Sequence, residues 1–308
     1  MNTTSSFRGL AVVDEKVVWA SGTGGTVIRT IDGGKSWNVI TVPGAEKLDF
    51  RDIEAFDANT AYILSIGNGD SSRIYKTTDG GKTWKLQFKN PLQEAFFDAM
   101  ACVDRKSCVA VSDPMKGQFP FIVTENGWDE VAEDDYTKPD AKNGEAAFAA
   151  SGTCLITAGK STYLVTGGSD ARVLRTSDGL VTWLSASTPI LKGSSGSGIF
   201  SIAIFDKSNG VIVGGNYEKP DEHEKNLAFT TDGGATWTLK EGLTGYRSGV
   251  TYVDKQTIIA VGTNGTDITR DGGKSWSVVG KENLNAVQSK GHNATWAVGP
   301  KGMVVKLK

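Results

Sequence analysis

Three arginines take the second place in copies of one seven-residue pattern. Segments 7–13, 50–56 and 246–252 put Arg8, Arg51 and Arg247 in the same register. A guanidinium offers a planar, two-pronged donor that matches a carboxylate or phosphate, so several around one opening make an anion receptor. Other copies carry uncharged residues at that place, and asymmetry on a repetitive scaffold is what a ligand site produces. Pairing with carboxylates such as Asp52 or Asp98, which would make the arginines cross-links, is the second reading; both stand. Tyr217 and Lys219, from the long segment Asn216–Lys225, and Asp113, from Asp113–Gln118, complete the ligand-binding candidates, since variable loops carry function.

Catalytic chemistry has weaker support. Tyr217, Tyr246, Glu145 and Asp98 beside arginines would suit a glycoside hydrolase or lyase. No local motif links them, and the carboxylate spacing that glycoside hydrolysis needs is not written in sequence. His223 and His292 are the only histidines. That excludes a histidine-rich metal site, and neither lies in a triad context. No glycine-rich phosphate loop precedes a helix. The expectation is a binding scaffold with no metal and no cofactor, a glycosidase or lyase being the alternative.

These residues need elements to position them. Thr30-Ile31-Asp32-Gly33-Gly34-Lys35-Ser36-Trp37 recurs around Asp79 and Trp84, Asp232 and Trp237, and Asp271 and Trp276. A weaker copy carries Asp178 and Trp183, and one that reads as shortened runs Thr124-Glu125-Asn126-Gly127-Trp128. The copies return at roughly 40–55-residue intervals, one four-stranded unit each. Asp-Gly-Gly is a hairpin-turn signal because glycine accepts positive φ. The carboxylate can take the turn's amide N–H groups. Each Trp is expected to be buried between strands. Boxes spread around a rim cannot converge on one substrate, so Asp32, Asp79, Asp178, Asp232 and Asp271 read as structural.

The heptapeptide has seven copies, starting at Phe7, Phe50, Phe96, Glu145, Ile199, Tyr246 and Leu284. The spacing predicts an all-β, seven-bladed propeller of four-stranded antiparallel blades in one domain, 1–308. The blades are placed at 7–43, 50–90, 96–133, 145–188, 199–241, 246–280 and 284–308 plus 1–6. The seventh unit runs only to a third strand. Residues 2–6 are expected to lie beside Met303–Leu307 as its fourth; otherwise that blade has three.

The boxes resemble the BNR/Asp-box repeats of sialidases and other propellers. Ser112-Asp113-Pro114, Gly214–Pro220 and Ala149–Cys154 further resemble the photosystem II stability/assembly factor-like family along the whole chain. The resemblance implies a seven-bladed propeller, a protein-segment partner in the photosynthetic members, and an exported, periplasmic or extracellular location in bacteria.

The 33 basic and 35 acidic side chains leave a formal charge of −2. No like-charge run argues for nucleic acid, and no apolar stretch argues for membrane insertion. Residues 1–6 do not read as a signal peptide. The expected partner is a protein segment or an anionic small molecule. Cys102 and Cys108 flank a hairpin loop, either bridged or simply buried.

Overall fold

The computed structural model describes residues 2–132 and 136–307. The expected end of blade three at 133, and residues 1 and 308, lie outside them. Blade one is β1 (Phe7–Val12), β2 (Val18–Gly22), β3 (Thr26–Thr30) and β4 (Asn38–Thr41). Blade two is β5 (Phe50–Ala55), β6 (Ala61–Ser65), β7 (Arg73–Thr77) and β8 (Lys85–Lys89). Blade three has β9 (Phe97–Cys102), β10 (Cys108–Ser112) and β11 (Phe121–Thr124), with a single bridge from Val123 to Ala132 in the fourth strand's place. After β12 (Glu145–Ala146), blade four is β13 (Leu155–Ala158), β14 (Ser161–Val165), β16 (Arg172–Thr176) and β17 (Leu184–Ser187), with β15 (Gly167–Gly168) between. Blade five is β18 (Ser197–Ile204), β19 (Gly210–Asn216), β20 (Leu227–Thr230) and β21 (Thr238–Lys240). Blade six is β22 (Gly249–Tyr252), β23 (Ile258–Gly262), β24 (Gly265–Thr269) and β25 (Ser277–Gly280). Blade seven has β26 (Ala286–Ser289), β27 (Thr295–Val298) and β28 (Val304–Leu307).

The innermost strands touch in a closed ring: β1, β5, β9, β13, β18, β22, β26 and back to β1. The molecule is therefore a seven-bladed antiparallel propeller. Second strands are covered by a blade on each side. Hence β2, β6, β10 and β23 are buried at every residue, whereas β4, β21 and β25 are largely exposed. This difference explains why second strands read as continuous apolar runs.

Each box closes its β3–β4-type turn by local bonds. Thr30 Oγ1 donates to Asp32 Oδ1 at 2.8 Å and accepts the Gly34 N–H at 2.9 Å, while the Ser36 N–H donates to Asp32 Oδ1 at 2.9 Å. The boxes at Asp79, Asp232 and Asp271 repeat this pattern. The Ser36 hydroxyl, then its N–H, pulls the Asp32 carboxyl down to about 2.

Blade three corrects the reading of a shortened box. The Trp128 N–H donates to Thr124 Oγ1 at 2.9 Å and the Glu130 N–H to Asn126 Oδ1 at 3.0 Å. The box is therefore full length. Trp128 occupies the second-glycine place at φ 68°, and Val131 stands where the others have Trp. Trp128 is fully buried. Expected burial fails elsewhere: Trp237 is buried, but Trp37, Trp84, Trp183 and Trp276 are half-buried. They lie where the box turn opens onto solvent and cover the rim of the core.

Ring closure also differs from expectation, and blade seven has three strands among the described residues. Residues 3–6 do not line β28. The Gly302 N–H donates to Ser5 O at 2.8 Å and the Thr23 N–H to Ser6 O at 3.2 Å, so this segment follows the β27–β28 turn on the face opposite the boxes. The Phe7 N–H donates to Gly299 O at 3.1 Å across the same seam, and side chains add to it: the Trp37 and Trp296 rings meet edge to face at 5.5 Å, and Asn285 Nδ2 donates to Phe7 O at 2.8 Å.

Cys102 and Cys108, cross-strand partners in β9 and β10, form a disulfide, and Cys154 is free and buried.

Asp52 lies inside the ring, accepting the Ile53 and Met100 N–H groups at 2.8 and 2.6 Å. Burial pushes its carboxyl up to about 7. A carboxyl raised on folding contributes stability below its ordinary value of about 4 and loses it as pH rises through about 7. Asp52→Asn is expected to be the less stable protein at pH 5, where its amide faces the Met100 N–H. In urea denaturation at pH 5 and pH 8, the gap should close by about 2 kcal/mol at pH 8.

Candidate functional site

Six inner strands share one local device. In β1, β5, β9 and β18 the pairing register skips a residue: Arg8, Arg51, Asp98 and Phe200 respectively. Ser248 and Asn285 hold the matching place, just ahead of the first registered pairs of β22 and β26. A bulge re-aims a side chain. All six residues line one cavity of about 540 Å³ on the face opposite the boxes.

This register corrects the reading of Arg247. Gly249 pairs with Val261 as Gly9 pairs with Ser21, so Ser248, not Arg247, matches Arg8. Arg247 falls one residue earlier, at the inward place of Phe7. It is fully buried, with Nε 2.8 Å and Nη2 2.6 Å from Asp267 Oδ2, and further bonds to Asn264, Thr244 and Tyr246 O. Arg247 is a cross-link within blade six and its loops.

Lys219 is also absent from the cavity lining; it is exposed and pairs with Glu222 at 3.0 Å. Arg8, Arg51, Asp113 and Tyr217 do converge there. Of the other carboxylates weighed, Glu145 is locked in a buried pair with Arg172 at 2.6 Å, and Asp52 binds backbone rather than an arginine. His223 is exposed, and His292 pairs with Asp254 at 2.8 Å.

Segment 147–153 forms the floor. The sequence places blade four's inner strand at 145–151; the structure places it at Leu155–Ala158. The alanine-rich segment instead crosses the channel mouth. Arg51 Nη1 donates to Ala149 O at 3.1 Å and Arg8 Nη1 to Ala150 O at 3.0 Å. The Ala147 N–H donates to Asp113 Oδ1 at 3.0 Å, and Ser151 Oγ to Ser248 O at 2.8 Å. Gly152, at φ 77°, fits because a Cβ there would meet the Asp52 carboxylate at 2.2 Å.

Charge in the depression is uneven. Arg51 Nε pairs with Asp49 at 2.8 Å, while Arg8 has no ion-pair partner among the described residues. Burial first, and the neighbouring Arg51 charge second, hold the Arg8 guanidinium below its ordinary value. Opposite them, burial and then Asp113 push the Asp98 carboxyl well up, and burial raises Asp113 to about 6. Beside the arginines is an aromatic shelf: Phe148 stacks on Phe200 at 4.1 Å, and Tyr246 and Tyr217 meet Phe200 edge-on at 4.7 and 6.2 Å. No motif in the sequence singles out Phe148 or Phe200, although Phe200 holds the Arg8 place in its own repeat. The arrangement is suited to an anion joined to an apolar group.

Among the described residues, no His/Cys/Asp/Glu cluster could hold a metal ion, and no helix is long and apolar enough to cross a membrane.

The model of the BNR/Asp-box repeat family matches residues 75–86, which cover the box of blade two. The chain is a propeller that carries a BNR/Asp-box repeat. Among solved structures, this propeller is similar to "YCF48 bound to D1 peptide" (TM-score 0.68, 14% identity, 99% of this chain and 92% of that one). It is also similar to YCF48 from Cyanidioschyzon merolae (0.66, 16%, 99% and 96%). Both likenesses are likenesses of fold. The GH74 enzyme of Niastella koreensis matches at TM-score 0.65 and 14% identity over 98% of this chain, which spans about half (52%) of that one. The sequence has no significant match among curated proteins.

Proposed function

We propose that this propeller is a binding scaffold whose central depression grips a carboxylate-bearing protein segment or small anion. One observation carries the reading. Two guanidiniums, Arg8 and Arg51, line one solvent-accessible cavity, and among the described residues Asp49, paired with Arg51, is their single ion-pair partner. The Phe148, Phe200, Tyr217 and Tyr246 shelf beside them suits an apolar side chain next to the anion. The peptide in the YCF48 structure supports a protein segment as ligand. The Cys102–Cys108 bridge supports an exported protein, since disulfides persist in oxidising compartments.

The test is a calorimetric screen of short peptides with free carboxylates against wild type and Arg8→Lys and Arg51→Lys variants. Lysine keeps the charge but loses the planar fork, so each change is expected to weaken binding about tenfold or more. Equal affinity in both variants refutes the reading.

Asp98 and Asp113, two carboxyls in one cavity, together with the likeness to a GH74 enzyme, favour a second reading, glycoside hydrolysis. Polysaccharide cleavage abolished by Asp113→Asn would establish it in place of the first.

A further inference from the structure

Asp98 is 2% exposed, and its Oδ2 is a buried atom with no hydrogen-bond partner. Buried polar atoms are nearly always satisfied, and an orphan facing a cavity marks a place where a partner is brought in. Its surroundings restrict what that partner is. Arg51 stands on β5, Arg8 with Asp49 and Tyr246 beyond it, and the Asp113 carboxyl comes from the loop after β10. The buried Cys154 thiol lies near both Asp98 and Asp52, and Asp52 accepts the Met100 N–H of the same strand. Burial, and after it the neighbouring Asp113, disfavour a negative charge on Asp98 more than the Ala149 and Asp113 N–H groups and Arg51 favour it. A neutral carboxyl group can donate a hydrogen bond where a carboxylate can only accept one.

We propose that Asp98 is the third donor of the anion site: its protonated carboxyl hydrogen-bonds, through Oδ2, an oxygen of the carboxylate that Arg8 and Arg51 hold. The inference rests on the anion reading above and adds the residue that completes the receptor. Asp49 offsets only part of the charge of the two guanidiniums, and a neutral Asp98 adds a donor without offsetting more. An apolar group on that ligand meets the Phe148 and Tyr217 rings. The acid also sets specificity: its single proton serves an ionised oxygen, while Asp113, on the same side, disfavours a doubly charged anion.

The probe is N-acetyl-L-phenylalanine, a monocarboxylate with an apolar ring, titrated by calorimetry at pH 6 into wild type, Asp98→Asn and Asp98→Leu. Asparagine retains an N–H donor and is expected to bind within about threefold of wild type. Leucine has no donor and is expected to lose about tenfold or more. Infrared difference spectra of the wild type should show a protonated-carboxyl band shifting on binding, absent in Asp98→Asn. This readout stands even if the leucine variant does not fold. Tighter binding by Asp98→Asn would reveal an ionised, repelling carboxylate and overturn the proposal. So would wild-type affinity in Asp98→Leu, or an unshifted carboxyl band. If binding depends on Arg51 but not on Asp98, the anion reading survives and this inference does not. If the probe fails to bind wild type, this receptor is overturned, while the peptide screen decides the wider reading.

Discussion

Replacing Arg247 with alanine is expected to destabilise the fold by about 3–5 kcal/mol, the usual cost of breaking a buried pair. Arg247 and Asp267 are both fully buried, and two guanidinium nitrogens converge on Asp267 Oδ2. Alanine strands that carboxylate with only Thr244 to satisfy it, through its N–H at 3.0 Å and its hydroxyl at 3.1 Å. Attraction between the charges is not the source of the loss, because desolvation offsets most of it; the uncompensated charge left behind is. A double variant, Arg247→Met with Asp267→Leu, should therefore recover most of the stability. Urea denaturation of the three proteins reads this directly. A loss below about 1 kcal/mol for Arg247→Ala would show that the pair is not buried as described.

Trp128→Ala is expected to cost about 3–5 kcal/mol, the most of any box tryptophan. Its ring is fully buried in the cluster between blades two and three, with Tyr62, Phe88, Met100 and Ile122. The half-buried Trp37, Trp84, Trp183 and Trp276 leave smaller cavities, and alanine there should cost about 2 kcal/mol. Trp128→Gly relieves the φ 68° backbone yet removes the same ring, so it should fall close to Trp128→Ala. Thermal or urea melts of the five alanine variants provide the comparison. If Trp128→Ala ranks among the mildest, blade three's box does not hold its tryptophan inward.

The box chemistry was legible because it is local. Thr30, Asp32, Gly34 and Ser36 lie within seven residues, and their bonds need only the turn itself. Box spacing and the inner-strand copies then implied seven blades, since each blade is a contiguous hairpin stack. Arg8 and Arg51 were legible as a pair for the same reason: they hold equivalent places in adjacent repeats. Blade three's box was misread because Trp128 stands where a glycine is usual. Its hydrogen bonds, not its letters, reveal the register.

Tertiary structure decided the rest. A bulge shifts a strand by one residue, and one residue exchanges the buried side of a strand for the cavity side. That slip separates Ser248, which lines the depression, from Arg247, which is locked to Asp267. The alanine-rich segment 147–153 reads as a strand because its residues are small and apolar; the pull of Arg8, Arg51, Asp113 and Ser248, far apart in sequence, lays it across the channel. Asp98 and Asp113 acquire their raised proton affinity only when folding brings them together in a place sheltered from water. Repetition along the chain determined the scaffold by itself, since its interactions span a few residues. The site was decided by contacts between blades, whose distances and burial do not exist until the ring closes.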